Sequence, residues 1–146
     1  MPYRSLALIA VLALAGCSGN LPFSSGALTG TTTPVPQDWS EVASADIVQL
    51  ETNAEDPYSV NLWVIGFGSK LYVHAGANRA TWVEHIEDNH NVRLQVQDAV
   101  FELRAIRVVD VEEFQLFSDI YETKYGNRPR NEDVAEAYLF RLEARS

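Results

Sequence analysis

The hydrophobic residues of the chain fall into two regions of different character. The ten residues from Leu6 to Ala15 are all apolar, whereas from Asp38 onward apolar and polar positions alternate with the periods of strands and helices. Between these regions, thirteen of the twenty residues 18–37 are Gly, Pro, Ser or Thr, and they show no apolar period. We therefore interpret residues 1–16 as a leader, residues 17–37 as a flexible tether and residues 38–146 as one folded domain.

Six segments of the folded domain have the composition of β-strands. Val92–Gln97 alternates apolar and polar residues, which is typical of a strand with one face in water. Val60–Ile65 is apolar almost throughout and rich in β-branched and aromatic residues, so it indicates a central strand. The predicted strands are residues 47–52, 60–65, 71–75, 92–97, 100–109 and 138–143.

Three predicted helices begin at capping-box patterns, in which an Asp or Thr is followed three residues later by a Glu. These pairs are Asp38 with Glu41, Thr81 with Glu84, and Asp110 with Glu113. The first pattern predicts a short helix that ends near Ala45. In the second helix, Trp82, Val83 and Ile86 give one buried side.

The third predicted helix carries aromatic residues on one face. Phe114, Phe117, Tyr121 and Tyr125 are spaced by three or four residues, so they share a helical face that we assign to the core or to a dimer contact. Gly126 follows at a position that favours a helix stop.

The order of elements predicts the fold class. A helix, three strands, a short helix, two strands, a longer helix and a strand follow one another, and the short links between strands favour antiparallel pairing. We predict a mainly β domain with short helices (α+β), built as a six-stranded antiparallel split β-barrel. A small barrel removes exposed sheet edges.

Composition excludes several classes of protein. The 146 residues carry a formal net charge of −9 and are 47% hydrophobic, which is a globular balance with an acidic surface. Nucleic-acid binding is disfavoured because it needs clustered Lys and Arg. A single cysteine excludes an internal disulfide and a multi-cysteine metal site. His85 and His90 are five residues apart and do not share a helical face, so we predict no metal site and assign no catalytic residue.

Leu14-Ala15-Gly16-Cys17 ends the apolar leader and resembles the bacterial lipobox. The resemblance implies a lipoprotein signal peptide that is cleaved before Cys17, with lipid and palmitate-type acyl chains on Cys17. Ser18 resembles the residue that directs such lipoproteins to the outer membrane, which implies its periplasmic face. An ordinary secretory signal with an incidental cysteine is the alternative interpretation.

The folded domain resembles a second family. The stretch NLWVIGFGSKLYVHAGANRATWVEHIEDNHNVRLQVQDAVFELRAIRV is similar to the split β-barrel of the pyridoxamine-phosphate oxidase-like, FMN-binding superfamily, near the small relatives of deazaflavin-dependent reductases. The resemblance implies a homodimer with FMN or deazaflavin in a groove at its interface. It places the cofactor against the end of the third strand and the loop and helix that follow, at His74, Gly76, Asn78, Arg79, Thr81 and Trp82.

Elementary chemistry supports some of these positions. Gly76 lets the backbone approach an anion, Arg79 offers a guanidinium fork, and the helix N-terminus after Thr81 favours negative charge.

The sequence also departs from the flavin-binding pattern. Residues 51–63 contain no basic residue, and His74 stands where related chains carry Arg. We therefore expect a non-catalytic module that binds a small ligand or a partner through the cofactor groove. The alternatives are an FMN- or deazaflavin-dependent oxidoreductase that uses the same groove, and a purely structural envelope lipoprotein.

Overall fold

The computed structural model describes residues 26–146. The leader, Cys17 and the first part of the predicted tether lie outside the described residues. The described elements, in chain order, are β1 Thr31–Thr32, β2 Ile47–Thr52, β3 Tyr58–Trp63, β4 Ile65–Phe67, β5 Lys70–His74, α1 Thr81–Asp88, β6 Asn91–Val96, β7 Ala99–Arg107, α2 Val111–Tyr125 and β8 Leu139–Ala144.

Seven of the strands form one antiparallel path, in the order β3-β2-β6-β7-β8-β5-β4. The two strands at the ends of this path, β3 and β4, are consecutive in the chain and are separated by Val64 alone. Because one chain segment supplies both ends of the path, the sheet curls back on itself. The predicted α+β split barrel is confirmed.

The predicted strand 60–65 is corrected by the structure. Its apolar residues belong to two strands, because the chain leaves β3 at Trp63 and enters β4 at Ile65. Val64 is fully buried, and its backbone groups bond to α2: its N–H donates to the hydroxyl oxygen of Tyr125 at 3.1 Å, and its carbonyl accepts from the ammonium of Lys124 at 2.9 Å. The unbroken apolar run of residues 60–65 therefore does not reveal the point at which the chain leaves one strand and enters the next.

The predicted count of six strands is also corrected, since the described residues form eight. One of the two additional strands is β4. The other is β1, which pairs in parallel with the start of β7, with Thr31 opposite Ala99 and Thr32 opposite Val100. β1 lies within the segment predicted to be a tether, and Leu28 of the same segment is buried at 8% exposure. Residues with no apolar period thus contact the sheet through their backbone.

Two hydrophobic clusters lie on opposite faces of the sheet. The inner core fills the barrel and includes Leu71 and Val73 of β5 with the buried side of α1. The outer core lies between the sheet and α2 and includes Tyr72. Successive residues of a strand face opposite sides, so β5 serves both cores.

The helix termini partly confirm the capping predictions. The Asp110 carboxylate accepts a hydrogen bond of 2.7 Å from the N–H of Glu113, as predicted, and α2 ends at Gly126 with a left-handed φ of 84°. The predicted helix after Asp38 is only a 3₁₀ turn, Val42–Ser44. Asp38 instead accepts from the N–H of Ser40, which closes a local turn.

Helix α1 begins without the predicted cap. Its N-terminal residue is preceded by Ala80 in an extended conformation, and no side chain caps the helix. Trp82, Val83 and Ile86 are buried, as predicted, because they face the inner core. The buried side predicted for α1 is therefore confirmed, whereas the side-chain cap predicted at the start of this helix is not formed.

Candidate functional site

The loop between β5 and α1 carries most of the residues predicted to bind a cofactor. It spans residues 75–80 at one end of the barrel and leads directly into α1. Gly76 has a positive φ of 70°, and no atom lies within 4 Å of the position that a Cβ would occupy. Glycine is therefore needed here for its conformation, and its surroundings are open.

His74 lies apart from the other predicted residues. Its neighbour Val73 faces the inner core, so the side chain of His74 points to the opposite face of the sheet, towards α2. The imidazole packs edge-on against Phe117 and Tyr121, with ring centroids 5.3 and 5.1 Å apart. Burial lowers the pKa of His74 to about 4, so the ring is neutral at neutral pH. A neutral imidazole on this face is unsuited to hold an anion at the loop.

Arg79 pairs with acidic residues of the helix that follows its loop. Its guanidinium pairs with the carboxylate of Glu87 and lies 3.4 Å from that of Glu84. All three side chains are largely exposed. The predicted phosphate ligand is thus compensated by two carboxylates, and an anionic ligand would have to displace them.

The remaining predicted residues divide between surface and core. Asn78 and Thr81 are exposed, and Thr81 is the first residue of the uncapped helix. Trp82 is 3% exposed and packs edge-on against Phe140, with ring centroids 5.7 Å apart. It anchors α1 in the core, so little of its ring surface is available to a ligand.

The structure places another cation near this loop, Arg107 at the end of β7. Its guanidinium carbon lies 4.4 Å from the ring centroid of Tyr138 and 5.8 Å from that of Phe140. One guanidinium nitrogen donates to the carbonyl of Ala135 at 2.9 Å, and the Nε is buried without a hydrogen bond. Within residues 26–146, no carboxylate pairs with Arg107, so its charge is held mainly by aromatic faces and one carbonyl.

Arg107, Tyr138, Phe140, Trp82 and loop 75–80 form one end of the barrel, which we name the Arg107 rim. The loop is tied to it because the N–H of Ala75 donates to the carbonyl of Tyr138 at 3.3 Å. A sequence signal for Arg107 exists. Strand alternation puts it on the same face as Leu103 and Ala105, so a charge occupies an inward position of β7.

A polar pocket on another part of the barrel contains a buried ion pair. Glu51 is 5% exposed and accepts two hydrogen bonds from Arg93, at 2.7 and 2.6 Å. It also accepts one of 2.7 Å from the N–H of Leu28. Every carboxylate oxygen of Glu51 is occupied, so this group stabilises the fold and holds the N-terminal segment.

Across residues 26–146 no group of three or more His, Cys, Asp or Glu side chains could hold a metal ion. No helix in the same part of the chain is long and apolar enough to span a membrane.

Comparison with known proteins supports the fold. No protein-family model matches the chain, and no curated protein matches it in sequence. A solved structure assigned to 5-nitroimidazole antibiotic resistance in Bacteroides thetaiotaomicron has a TM-score of 0.57 at 16% identity, and the match covers 72% of this chain and 76% of that one.

Two other solved structures show the same likeness. One, assigned as a pyridoxamine 5'-phosphate oxidase from Listeria innocua, has a TM-score of 0.55 at 14% identity over 70% of this chain and 86% of that one. A FAD-binding protein from Mesorhizobium loti has a TM-score of 0.51 at 16% identity over 72% of this chain and 83% of that one. The domain therefore has the split-barrel fold found in pyridoxamine-phosphate oxidase-like proteins.

Proposed function

We propose that the domain is a binding module for an anionic, flavin-like small molecule, which it holds at the Arg107 rim. The observation that carries the proposal is the state of Arg107, whose guanidinium has a buried, unbonded Nε and no carboxylate partner among residues 26–146. A buried donor without a partner costs about 1–3 kcal/mol, which a phosphate or carboxylate of a ligand would recover.

The rest of the rim suits an anion that carries a ring system. The uncapped N-terminus of α1 presents the positive end of the helix dipole, and Gly76 leaves the loop open to close approach. Tyr138 supplies an aromatic face already in contact with the guanidinium. Arg107 and the first amides of α1 would hold a phosphate, and a bound flavin would supply reversible electron and hydride transfer.

Binding is favoured over catalysis by the charges around the loop. The charge of Arg79 is more than compensated by Glu84 and Glu87 at the surface, and His74 lies on the other face of the sheet. An FMN- or deazaflavin-dependent oxidoreductase is the second candidate. It is favoured by the fold shared with a structure assigned as a pyridoxamine 5'-phosphate oxidase and with a FAD-binding protein.

Titration of the full-length protein in nonionic detergent with FMN and riboflavin tests the proposal. We expect FMN to bind more tightly than riboflavin, because only FMN has the phosphate. Arg107→Gln should weaken FMN binding about tenfold or more, the size expected for a hydrogen bond to a charged group. Arg79→Gln is the matched control and should leave FMN affinity within about twofold, as expected of an exposed pair.

Three results would contradict this assignment. Absence of binding by both FMN and a deazaflavin would end both the binding and the oxidoreductase hypotheses, and an effect of Arg79→Gln larger than that of Arg107→Gln would move the site to the helix surface. Oxidation of NADPH by the FMN-loaded protein would replace the binding module with the oxidoreductase.

We further propose that the protein is anchored in the cell envelope by lipid on Cys17, facing the periplasm at the outer membrane. The support is the lipobox pattern and Ser18 after it. Cys17→Ser should move the protein from the membrane fraction to the soluble fraction, whereas Ser18→Ala should leave it membrane-bound. Mass spectrometry that finds an unmodified Cys17 in the native protein would refute the anchor.

A further inference from the structure

A groove runs between the N-terminal segment and the β6–β7 turn, on the side of the barrel where β1 pairs with β7. Its volume is about 920 Å³, within the range of small-molecule sites. One wall is formed by residues 31–47 and the other by residues 96–101. We name it the arm groove, and nothing in the proposed flavin site involves its residues.

The walls of the arm groove mix apolar and polar side chains in similar proportion. Pro34, Pro36 and Val42 line one wall, and Val96 lines the other. Ile47 also lines it and is 54% exposed, which is unusual for so large an aliphatic side chain. Of these side chains, Pro34 and Ile47 are exposed and offer hydrophobic contact that no described segment of the chain covers.

The floor of the groove is aromatic and rigid. Phe101 lines it and is 4% exposed. Its ring is fixed by an edge-to-face contact with Trp39, with centroids 5.2 Å apart. The ring therefore offers a ligand little surface of its own and keeps the base of the groove rigid.

The charged side chains that line the groove are all acidic. They are Asp38, Glu41 and Asp98, and no Lys, Arg or His lines it. Asp38 accepts a hydrogen bond of 2.8 Å from the N–H of Ser40, and hydrogen bonding to Ser40 lowers the pKa of its carboxyl, so it is ionised at neutral pH. Asp98 accepts from the hydroxyl of Thr31 at 2.9 Å and is held facing the same space.

The nearest lysine does not cancel this charge. Lys124 lies behind the groove wall, where its ammonium donates to the backbone carbonyls of Ala43 and Ala45. The carboxylate of Asp46 acts on it electrostatically and offsets its charge. The groove thus combines exposed apolar side chains with negative charge that no described Lys, Arg or His of its lining compensates.

We propose that the arm groove binds an amphipathic organic cation, in which an aromatic or aliphatic body lies against Ile47 and Pro34 and a positive group faces the three carboxylates. Size, the exposed apolar side chains and charge complementarity all point to this ligand class. Neutral apolar molecules would leave the carboxylates unused, and anions would be repelled by them.

Calorimetric titration of the full-length protein in nonionic detergent tests the groove with two water-soluble probes of similar body and opposite charge. We expect benzyltriethylammonium to bind and benzenesulfonate not to bind. The double variant Asp38→Asn/Glu41→Gln should weaken cation binding roughly fivefold, the size expected for two exposed charge pairs. Raising the salt from 0.05 to 0.5 M should weaken it further by screening.

Matched variants separate charge from the apolar contact. Glu55→Gln removes an exposed acid outside the groove and should leave cation affinity unchanged. Ile47→Ser should weaken binding without altering its salt dependence. Failure of the cation to bind, equal binding of the sulfonate, or cation binding insensitive to both the acid and Ile47 variants would overturn the proposal.

Discussion

The ammonium nitrogen of Lys124 lies 2.9 Å from the carbonyl oxygen of Val64, so the last turn of α2 holds the residue at which β3 becomes β4. The same ammonium donates to the carbonyls of Ala43 and Ala45 at 2.8 and 2.5 Å. All three ammonium protons are thus used on backbone groups that have left the regular sheet. One side chain thus joins the junction of β3 and β4, the two terminal strands of the sheet, to the turn before β2.

Replacement of Lys124 should therefore destabilise the fold. Lys124→Met leaves the carbonyls of Ala43 and Ala45 without this donor, whereas that of Val64 also accepts from the hydroxyl of Tyr125 at 3.0 Å. We expect a loss of about 2–3 kcal/mol in the free energy of unfolding. Urea denaturation followed by tryptophan fluorescence measures it. Lys70→Met, at the other lysine of the chain, is the charge-matched control and should cost less than about 1 kcal/mol. Equal effects of both variants would show that net charge, and not the bonding of Lys124, matters.

Glu113 fastens the start of α2 to the sheet. Its carboxylate accepts a hydrogen bond of 2.7 Å from the hydroxyl of Tyr72 and a charged one from Arg141. Glu113→Gln should lower stability by about 1–2 kcal/mol, because the charge-assisted bond to Arg141 is lost while Tyr72 can still donate. Glu112→Gln, on the exposed side of the same turn, should change stability by less than about 0.5 kcal/mol.

The direction in which Glu113 makes stability depend on pH follows from the shift of its pKa. Burial raises the pKa of its carboxyl, but hydrogen bonds from Arg141 and Tyr72 outweigh burial and lower the pKa below the usual 4.5. The stabilisation is therefore present above pH 4.5 and is lost as the pH falls through the folded-state pKa. In Glu113→Gln, acid unfolding should show a smaller loss of stability in this range, and an unchanged acid limb would contradict the assignment.

His74 should make stability depend on pH at higher values than the carboxylates do. Its pKa is lowered by burial from 6.5 to about 4, so between these values the unfolded chain binds a proton that the folded chain does not. Stability should fall by about 2–3 kcal/mol as the pH decreases from 6.5 to 4. His74→Phe should flatten this slope, whereas His90→Gln, at an exposed histidine, should leave it unchanged.

Glu51 should control the attachment of the N-terminal segment. Burial raises the pKa of its carboxyl, yet hydrogen bonds from Arg93 and the N–H of Leu28 outweigh burial and keep the group ionised. Glu51→Gln should cost about 2–3 kcal/mol, because Arg93 loses its partner in a largely buried pair.

Amide hydrogen exchange would locate this effect. Thr31 and Thr33 donate to backbone carbonyls at the start of β7, and their exchange should accelerate more than that of the inner strands in Glu51→Gln. Glu102→Gln, which breaks only an exposed 3.8 Å pair with Arg145, should leave both amides protected. Uniform acceleration across the sheet would show a global effect and not release of this segment.

The local periods of the sequence predicted most elements of the fold. Ile47–Thr52 is a strand with the bounds expected from its pattern, and the aromatic spacing of α2 identified the buried residues Phe114, Phe117 and Tyr121. Burial of apolar surface drives these elements, and its period is visible along the chain. By contrast, β1 has no apolar period, because it joins the sheet through backbone hydrogen bonds, which every residue type can make.

The sequence by itself determined most of the strands and the buried sides of α1 and α2, and hence the class of the fold. Tertiary structure alone decided which charges are available to a ligand. Arg79 pairs with Glu84 and Glu87 of the helix that follows it, whereas Arg107 packs on Tyr138 with no carboxylate partner among residues 26–146. The physical reason is that apolar burial follows a local period, whereas the pairing of a charge depends on residues that meet only after the chain has folded.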